Sequence, residues 1–238
     1  MSTNKQTTIP GERLQKLLAG QGLGSRREIE RWIEEGRVRL NSNTAKLGDR
    51  YQPGDRIFLD GKPVVLKGVK SPLTLGLMYY KPEGEVATRS DEKGRKTIFD
   101  RLPECEHGRW INVGRLDLNT SGLLILTNNG ELANRLMHPK FQMLREYAVR
   151  VLGEVSDQQI QSMLDGVELE DGKAGFESIR EAGGKGSNHW YHVTLREGRN
   201  REVRRIWESL GLRVSRLIRV RYGPIQLDHQ MRAGQYRE

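Results

Sequence analysis

One break organises this chain. The stretch Lys67-Gly68-Val69-Lys70-Ser71-Pro72 divides two segments whose apolar residues follow different patterns. Before it, Leu14, Leu17 and Leu18 share one helical face, and Gly20, Gly22 and Gly24 break that helix. Ser25 and Glu28 form a capping box at the start of a second helix. This helix carries Ile29, Trp32 and Ile33 at core spacing and ends at Gly36. Short strands follow, with turns at Pro53-Gly54-Asp55 and Asp60-Gly61. We read residues 1–10 as a disordered lead-in, 11–66 as a compact unit, 67–72 as a linker and 73–238 as a second domain.

In the second domain strands and helices alternate irregularly. Runs at Leu75–Tyr80, Leu123–Thr127, Glu146–Leu152, Trp190–Leu195 and Ser215–Arg221 predict strands. Glu131–Met137 predicts a helix that ends before Pro139. Ser156–Leu164 predicts another, boxed by Ser156 and Gln159, and Arg201–Leu210 a third. Asp171-Gly172 marks a hairpin turn, and Gly183-Gly184-Lys185-Gly186 a loop. That glycine cluster leads into a strand and not a helix, so it does not read as a phosphate cradle. The class is α+β, without the regular alternation of a doubly wound sheet.

The longest apolar run, Leu123-Leu124-Ile125-Leu126, is far below the roughly 20 residues of a membrane span. The polar first ten residues lack a signal peptide's apolar stretch, so the expected location is the cytoplasm. Cys105 is the single cysteine, which excludes an intrachain disulfide and a cysteine-based zinc site. The carboxylates beside it oppose a thiolate, so it reads as a bystander. His107, His138, His189, His192 and His229 show no metal-ligand spacing, and no cofactor motif is present; neither metal nor cofactor is expected. The absence of a coiled-coil repeat or an apolar strip suits a monomer.

The net charge of +9 favours a polyanionic partner, because each cation that neutralises a phosphate releases counterions. Nine arginines and three glutamates lie between Arg196 and Arg221, with no lysine. A planar guanidinium suits phosphates and base edges better than an ammonium does. Residues 11–70 hold 13 Lys/Arg against 8 Asp/Glu. Nucleic acid is the leading partner and an acidic protein the second.

The chemistry centres on Gly114-Arg115-Leu116-Asp117-Leu118-Asn119-Thr120-Ser121-Gly122-Leu123-Leu124. It sets one carboxylate on an irregular loop ahead of an apolar run. A bland alternative is an Asx turn, with the Asp117 side chain bonded to its own backbone. The string, however, closely resembles the catalytic motif of RNA pseudouridine synthases. Tyr80-Lys81-Pro82-Glu83-Gly84 resembles the lysine-proline motif of that superfamily, and Arg145-Glu146-Tyr147 the motif that supplies its active-site tyrosine. Glu197–Arg205 resembles its arginine motif, although many relatives carry His-Gln where this chain has Arg201-Glu202. The 11–66 unit, with Ser25-Arg26-Arg27 opening its second helix, resembles the S4 RNA-binding domain and points to the RsuA branch. Within that branch, 130–139 and 145–151 look most like enzymes of the large ribosomal subunit.

The resemblance implies a mixed, mostly antiparallel sheet flanked by helices, preceded by a small S4-like domain. It implies Asp117 as nucleophile, Arg204 as the guanidinium that keeps it ionised, and Tyr147 stacked on a flipped base. Val203, Arg115, Thr120 and Lys81 become candidate substrate contacts, and Arg26, Arg27, Arg199, Arg201 and Arg205 candidate RNA contacts. The expected partner is large-subunit ribosomal RNA or its assembly intermediate. The same chemistry on 16S rRNA or tRNA is an alternative, as is a non-catalytic S4-type RNA-binding or ribosome-assembly protein. Hydrolysis of a glycosidic bond generally needs two flanking carboxylates. The motif supplies one, which favours isomerisation.

Overall fold

The computed structural model describes residues 11–66, 73–89 and 91–238, and contacts divide them into two units. The expected lead-in at 1–10 and linker at 67–72 lie outside the described residues. The first unit also includes Glu104–Arg109.

The first unit runs β1 (Glu12–Arg13), α1 (Leu14–Gly20), α2 (Arg26–Glu34), β2 (Val38–Leu40), β3 (Asn43–Thr44), β4 (Arg50–Tyr51), β5 (Ile57–Leu59) and β6 (Lys62–Pro63). β1 pairs with β4, and a four-stranded sheet has the order β3-β2-β5-β6. Leu14, Leu17 and Leu18 of α1 meet Ile29 and Ile33 of α2 and Val38 and Ile57 of the sheet in one core. The Ser25 hydroxyl accepts from the Glu28 N–H while Glu28 reaches back to the Ser25 N–H, which completes the predicted box. Asp60 and Gly61 both have positive φ, as a type I′ turn between β5 and β6 requires.

The second unit begins with β7 (Gly76–Lys81), β8 (Ile111–Val113), β9 (Ser121–Thr127), α3 (Gly130–Met137) and β10 (Arg145–Leu152). It continues with α4 (Asp157–Asp165), β11 (Val167–Leu169), β12 (Gly172–Ala174), β13 (Ser178–Lys185) and β14 (Asn188–Leu195). It closes with α5 (Glu202–Ser209), β15 (Arg213–Tyr222), β16 (Ile225–Gln226) and β17 (Tyr236–Arg237). Its large sheet has the order β13-β14-β10-β15-β9-β7-β17, with β16 beside β15 and β8 beside β9. Only the β15–β9 pairing is parallel among these, so the sheet is mixed and mostly antiparallel as expected.

All seven residues of β9 are buried, which explains why its sequence is a continuous apolar run and not an alternating one. α4 and α5 cover one sheet face: Met163, Ile206 and Trp207 pack on Val149, Val151, Tyr191, Val193 and Leu217. Trp207 anchors this cluster, with its ring 5.3 Å from Tyr191. α3 covers β8 and β9 through Ala133 against Val113, Leu123 and Ile125. Asp171 and Gly172 do form a hairpin connection, between β11 and β12. The expected loop at 183–186 is corrected: Gly183, Gly184 and Lys185 belong to β13, which pairs with β14 through a bulge between Glu181 and Gly184. An added Cβ on Gly184 would meet the Asn188 carbonyl at 2.1 Å, so glycine here permits close backbone approach. No helix among the described residues is long and apolar enough to cross a membrane.

Candidate active site

Asp117 lies on the loop between β8 and β9, and its carbonyl accepts the Thr120 N–H at 3.0 Å. The turn is therefore closed by the backbone and not by the side chain. Among the described residues nothing donates a hydrogen bond or ion pair to the half-buried Asp117 carboxylate. The Asx-turn alternative does not hold.

Gly122 sets where this loop is rooted. It pairs with Lys81 of β7 on one side and Arg219 of β15 on the other. Its φ is +107°, and a Cβ there would stand 2.3 Å from the Arg219 carbonyl oxygen. Only glycine lets β9 approach β15 so closely in that conformation.

Lys81, an expected substrate contact, is fully buried at the end of β7. Its ammonium donates to the carbonyls of Pro82 (2.8 Å), Asp117 (3.1 Å) and Thr120 (2.9 Å). An ammonium has three protons, so none is left for a ligand. Burial lowers the Lys81 pKa to about 8, opposed by the charges of Glu85, Asp117 and Glu83. Glu85 is itself held by the Tyr79 hydroxyl and Arg101, each at 2.6 Å.

Arg204 grips the same loop from the other side. Its Nη2 donates to the Asn119 carbonyl at 2.7 Å and its Nη1 to Val214 at 3.1 Å. Arg204 is buried, and the ion-pair partner of Glu208 is Arg201, at 3.7 Å. Burial lowers the Arg204 pKa, the Arg201 charge adds to that, and the Asp117 charge opposes both. An arginine stays protonated under such shifts. The Asp117 loop thus sits in the field of two buried cations that hold its carbonyls and leave its carboxylate unbonded.

Tyr147 on β10 packs against the apolar cluster that contains Val203. Among the described residues its hydroxyl has no hydrogen bond. Val203, an expected substrate contact, is 5% exposed within that core. Thr120, another expected contact, is 2% exposed; its carbonyl accepts from Lys81, and its buried hydroxyl has no partner among the described residues. Arg115 is exposed two positions from Asp117 and makes no ion pair among the described residues.

Of the expected RNA contacts, two have partners within the chain. Arg205 makes a two-pronged pair with Asp171, at 2.8 and 2.9 Å. Arg199 donates to Asp171, to the carbonyls of Gly172 and Lys173, and to the buried Glu202. Both therefore pin the β11–β12 hairpin to α5. Burial raises the Glu202 pKa, and its bonds to Arg199 oppose that rise. Arg201 is exposed at the start of α5 in a left-handed conformation, φ +50°. Arg26 and Arg27 are exposed at the start of α2 and make no ion pair among the described residues.

Sequence reasoning missed Arg219. It is 2% exposed, donates to the Leu123 carbonyl at 2.8 Å and lies 5.0 Å from the Tyr222 ring. No local signal separates it from the exposed arginines of β15. Among the described residues, no group of three His, Cys, Asp or Glu is arranged to hold a metal ion.

A family model described as RNA pseudouridylate synthase matches residues 76–209, and an S4 domain model matches 12–57. The chain is 58% identical over 229 residues to the ribosomal large subunit pseudouridine synthase B of Pseudomonas aeruginosa. That match covers 96% of this chain but 59% of the relative's length. The protein of the same name from Escherichia coli (strain K12) is 56% identical over 95% of this chain and 79% of the relative. A crystal structure of a pseudouridylate synthase superposes with a TM-score of 0.65 at 25% identity, covering 95% of each chain.

Proposed function

The chain belongs to the RNA pseudouridine synthase family, and from that premise we propose that it converts a uridine of 23S ribosomal RNA to pseudouridine. The N-glycosidic bond of the uridine breaks, the detached uracil turns, and C5 bonds to the sugar in place of N1. The C5 proton leaves and N1 regains a proton, so the net change is an isomerisation.

Asp117 is the residue that meets the sugar as the base departs, either as nucleophile or as counter-charge. The observation that carries this role is its unbonded carboxylate on a loop fixed by Lys81 and Arg204. Preorganised charge of this kind acts without reorganisation at the moment of reaction. Tyr147, backed by the Val203 cluster, stacks on the flipped uracil and takes the C5 proton; its packing on that cluster supports the reading. Flipping costs a few kcal/mol and least in loops and bulges, which favours an irregular RNA target. Arg115 holds a phosphate beside the target, and Arg26, Arg27 and Arg201 hold the surrounding RNA. The S4 match and the 13 Lys/Arg against 8 Asp/Glu over residues 11–70 support that division of labour. The enzyme acts as a monomer in the cytoplasm.

Pseudouridine mapping of total RNA from cells with and without the gene tests this reading. Loss of a modification in 23S rRNA alone is expected. Loss confined to 16S rRNA or tRNA overturns the substrate assignment, and no loss anywhere overturns the activity.

A further inference from the structure

α4 and α5 cover one face of the sheet where β13, β14, β10 and β15 lie side by side, and the other face of these strands carries free cations. Val149, Val151, Tyr191, Val193 and Leu217 point into the core beneath α4 and α5. Side chains alternate along a strand, so their neighbours point the other way. On that side Arg216 aligns with Arg150, and Arg150 with Trp190, in one row across β15, β10 and β14. The next row aligns Arg213, Leu152, Asn188 and Lys185. Arg180 stands opposite His192 on the edge strand β13.

Arg180, Lys185, Arg213 and Arg216 are exposed and make no side-chain hydrogen bond or ion pair among the described residues. Arg150 is braced by the Ser215 hydroxyl at 3.0 Å and lies 5.7 Å from the Trp190 ring. Glu146 lies beyond these rows on the same side of β10, aligned with Thr194, and His192 holds it at 2.7 Å. This is the reverse of the start of α5, where Arg199 and Arg205 are neutralised by Asp171.

We propose that this open sheet face binds the phosphodiester backbone of a second, double-helical segment of the RNA substrate. The identity of the ligand as RNA rests on the function proposed above. Strands about 4.8 Å apart set the cations as a lattice of point contacts. Duplex RNA is recognised mainly through its shape, phosphates and 2′-hydroxyls, whereas single strands need free aromatic platforms. The aromatic ring here, Trp190, already has Arg150 over it, which favours duplex backbone over splayed bases. Tyr147 lies on the opposite face of β10, so this RNA segment is not the one that presents the target base.

The test uses the full chain carrying Arg180→Glu, Arg213→Glu and Arg216→Glu together. The probes are a full-length 23S rRNA transcript and a short hairpin bearing the mapped uridine. The face predicts at least ten-fold weaker transcript binding near ~0.1 M salt, a salt slope flatter by about 2–3, and unchanged hairpin turnover. The matching triple glutamine variant should show a smaller loss in the same direction. Wild-type transcript affinity in the glutamate variant overturns the proposal. So does wild-type affinity in the glutamine variant, or an equal loss on both RNAs. Loss of polyglutamate binding with RNA binding intact assigns the face to an acidic protein and also overturns it. If the wild-type protein makes no pseudouridine in the hairpin, the synthase reading fails, while transcript binding still decides the face.

Discussion

Asp117 and Asp171 are both loop aspartates next to arginines, and the structure treats them in opposite ways. Asp171 spends its carboxylate on Arg205 and Arg199 and so fastens a hairpin to α5. Its pKa is lowered chiefly by the Arg205 hydrogen bond. Asp117 is surrounded by Lys81 and Arg204, yet these cations bond the carbonyls of its loop. Proximity to positive charge therefore does not define an ion pair. A site that needs a reactive carboxylate can use cations to fix the backbone and leave the side chain open.

Substitutions can break this contrast at several points. The largest effect is expected at the root of the loop. Gly122→Ala sets a Cβ 2.3 Å from the Arg219 oxygen at φ +107°, which should cost about 2–4 kcal/mol and lower the Tm. An unchanged thermal melt would show that the β9–β15 approach is not tight. Lys81→Met removes the loop's anchor while replacing a buried charge with an apolar chain of similar length. Stability should fall by about 1–3 kcal/mol, because the carbonyls of Pro82, Asp117 and Thr120 lose their donor. Its kcat should fall about a hundred-fold from misplacement of the nucleophile, with RNA affinity retained. A raised KM with unchanged kcat would instead restore Lys81 as a substrate contact.

The pH response follows from the same residue. As pH rises through about 8, Lys81 loses a proton and one of its three carbonyls loses its donor. A pH–rate profile should show kcat declining above that point. The stability contribution has the opposite sign: between about 8 and the ordinary value of 10.5 the unfolded chain holds the proton and the folded chain does not, so this group's contribution rises with pH. Flat kcat across that interval would remove Lys81 from the loop's support. Asp171→Ala should have the smallest effect on activity. It frees Arg199 and Arg205, lowers the Tm slightly and leaves RNA affinity unchanged or improved. A collapse of kcat there would erase the difference between the two aspartates.

Local signals carried much of the fold. The boxes at Ser25–Glu28 and Ser156–Gln159 and the apolar run of β9 each depend on residues a few positions apart. The partners of the arginines were not legible, because they lie far away in sequence. Arg199 and Arg205 find Asp171 at separations of 28 and 34 residues, and Lys81 finds its loop carbonyls at 36 and 39. Backbone acceptors have no signature in side-chain identity, so the bonds of Lys81 and Arg204 to loop carbonyls could not be read from the sequence. The Gly183-Gly184 bulge was hidden for a related reason: its glycines serve a close approach to the neighbouring strand, which a turn would have explained equally well.

The central claim is that the open carboxylate of Asp117, and not the basic surroundings alone, carries out the reaction. Single-turnover pseudouridine formation by Asp117→Asn, run beside Asp171→Asn on the same 23S rRNA transcript, tests it most directly. Asp117→Asn is expected to give no product despite retained RNA binding, and Asp171→Asn near wild-type product. Product from Asp117→Asn, or an equal loss in both variants, would contradict it.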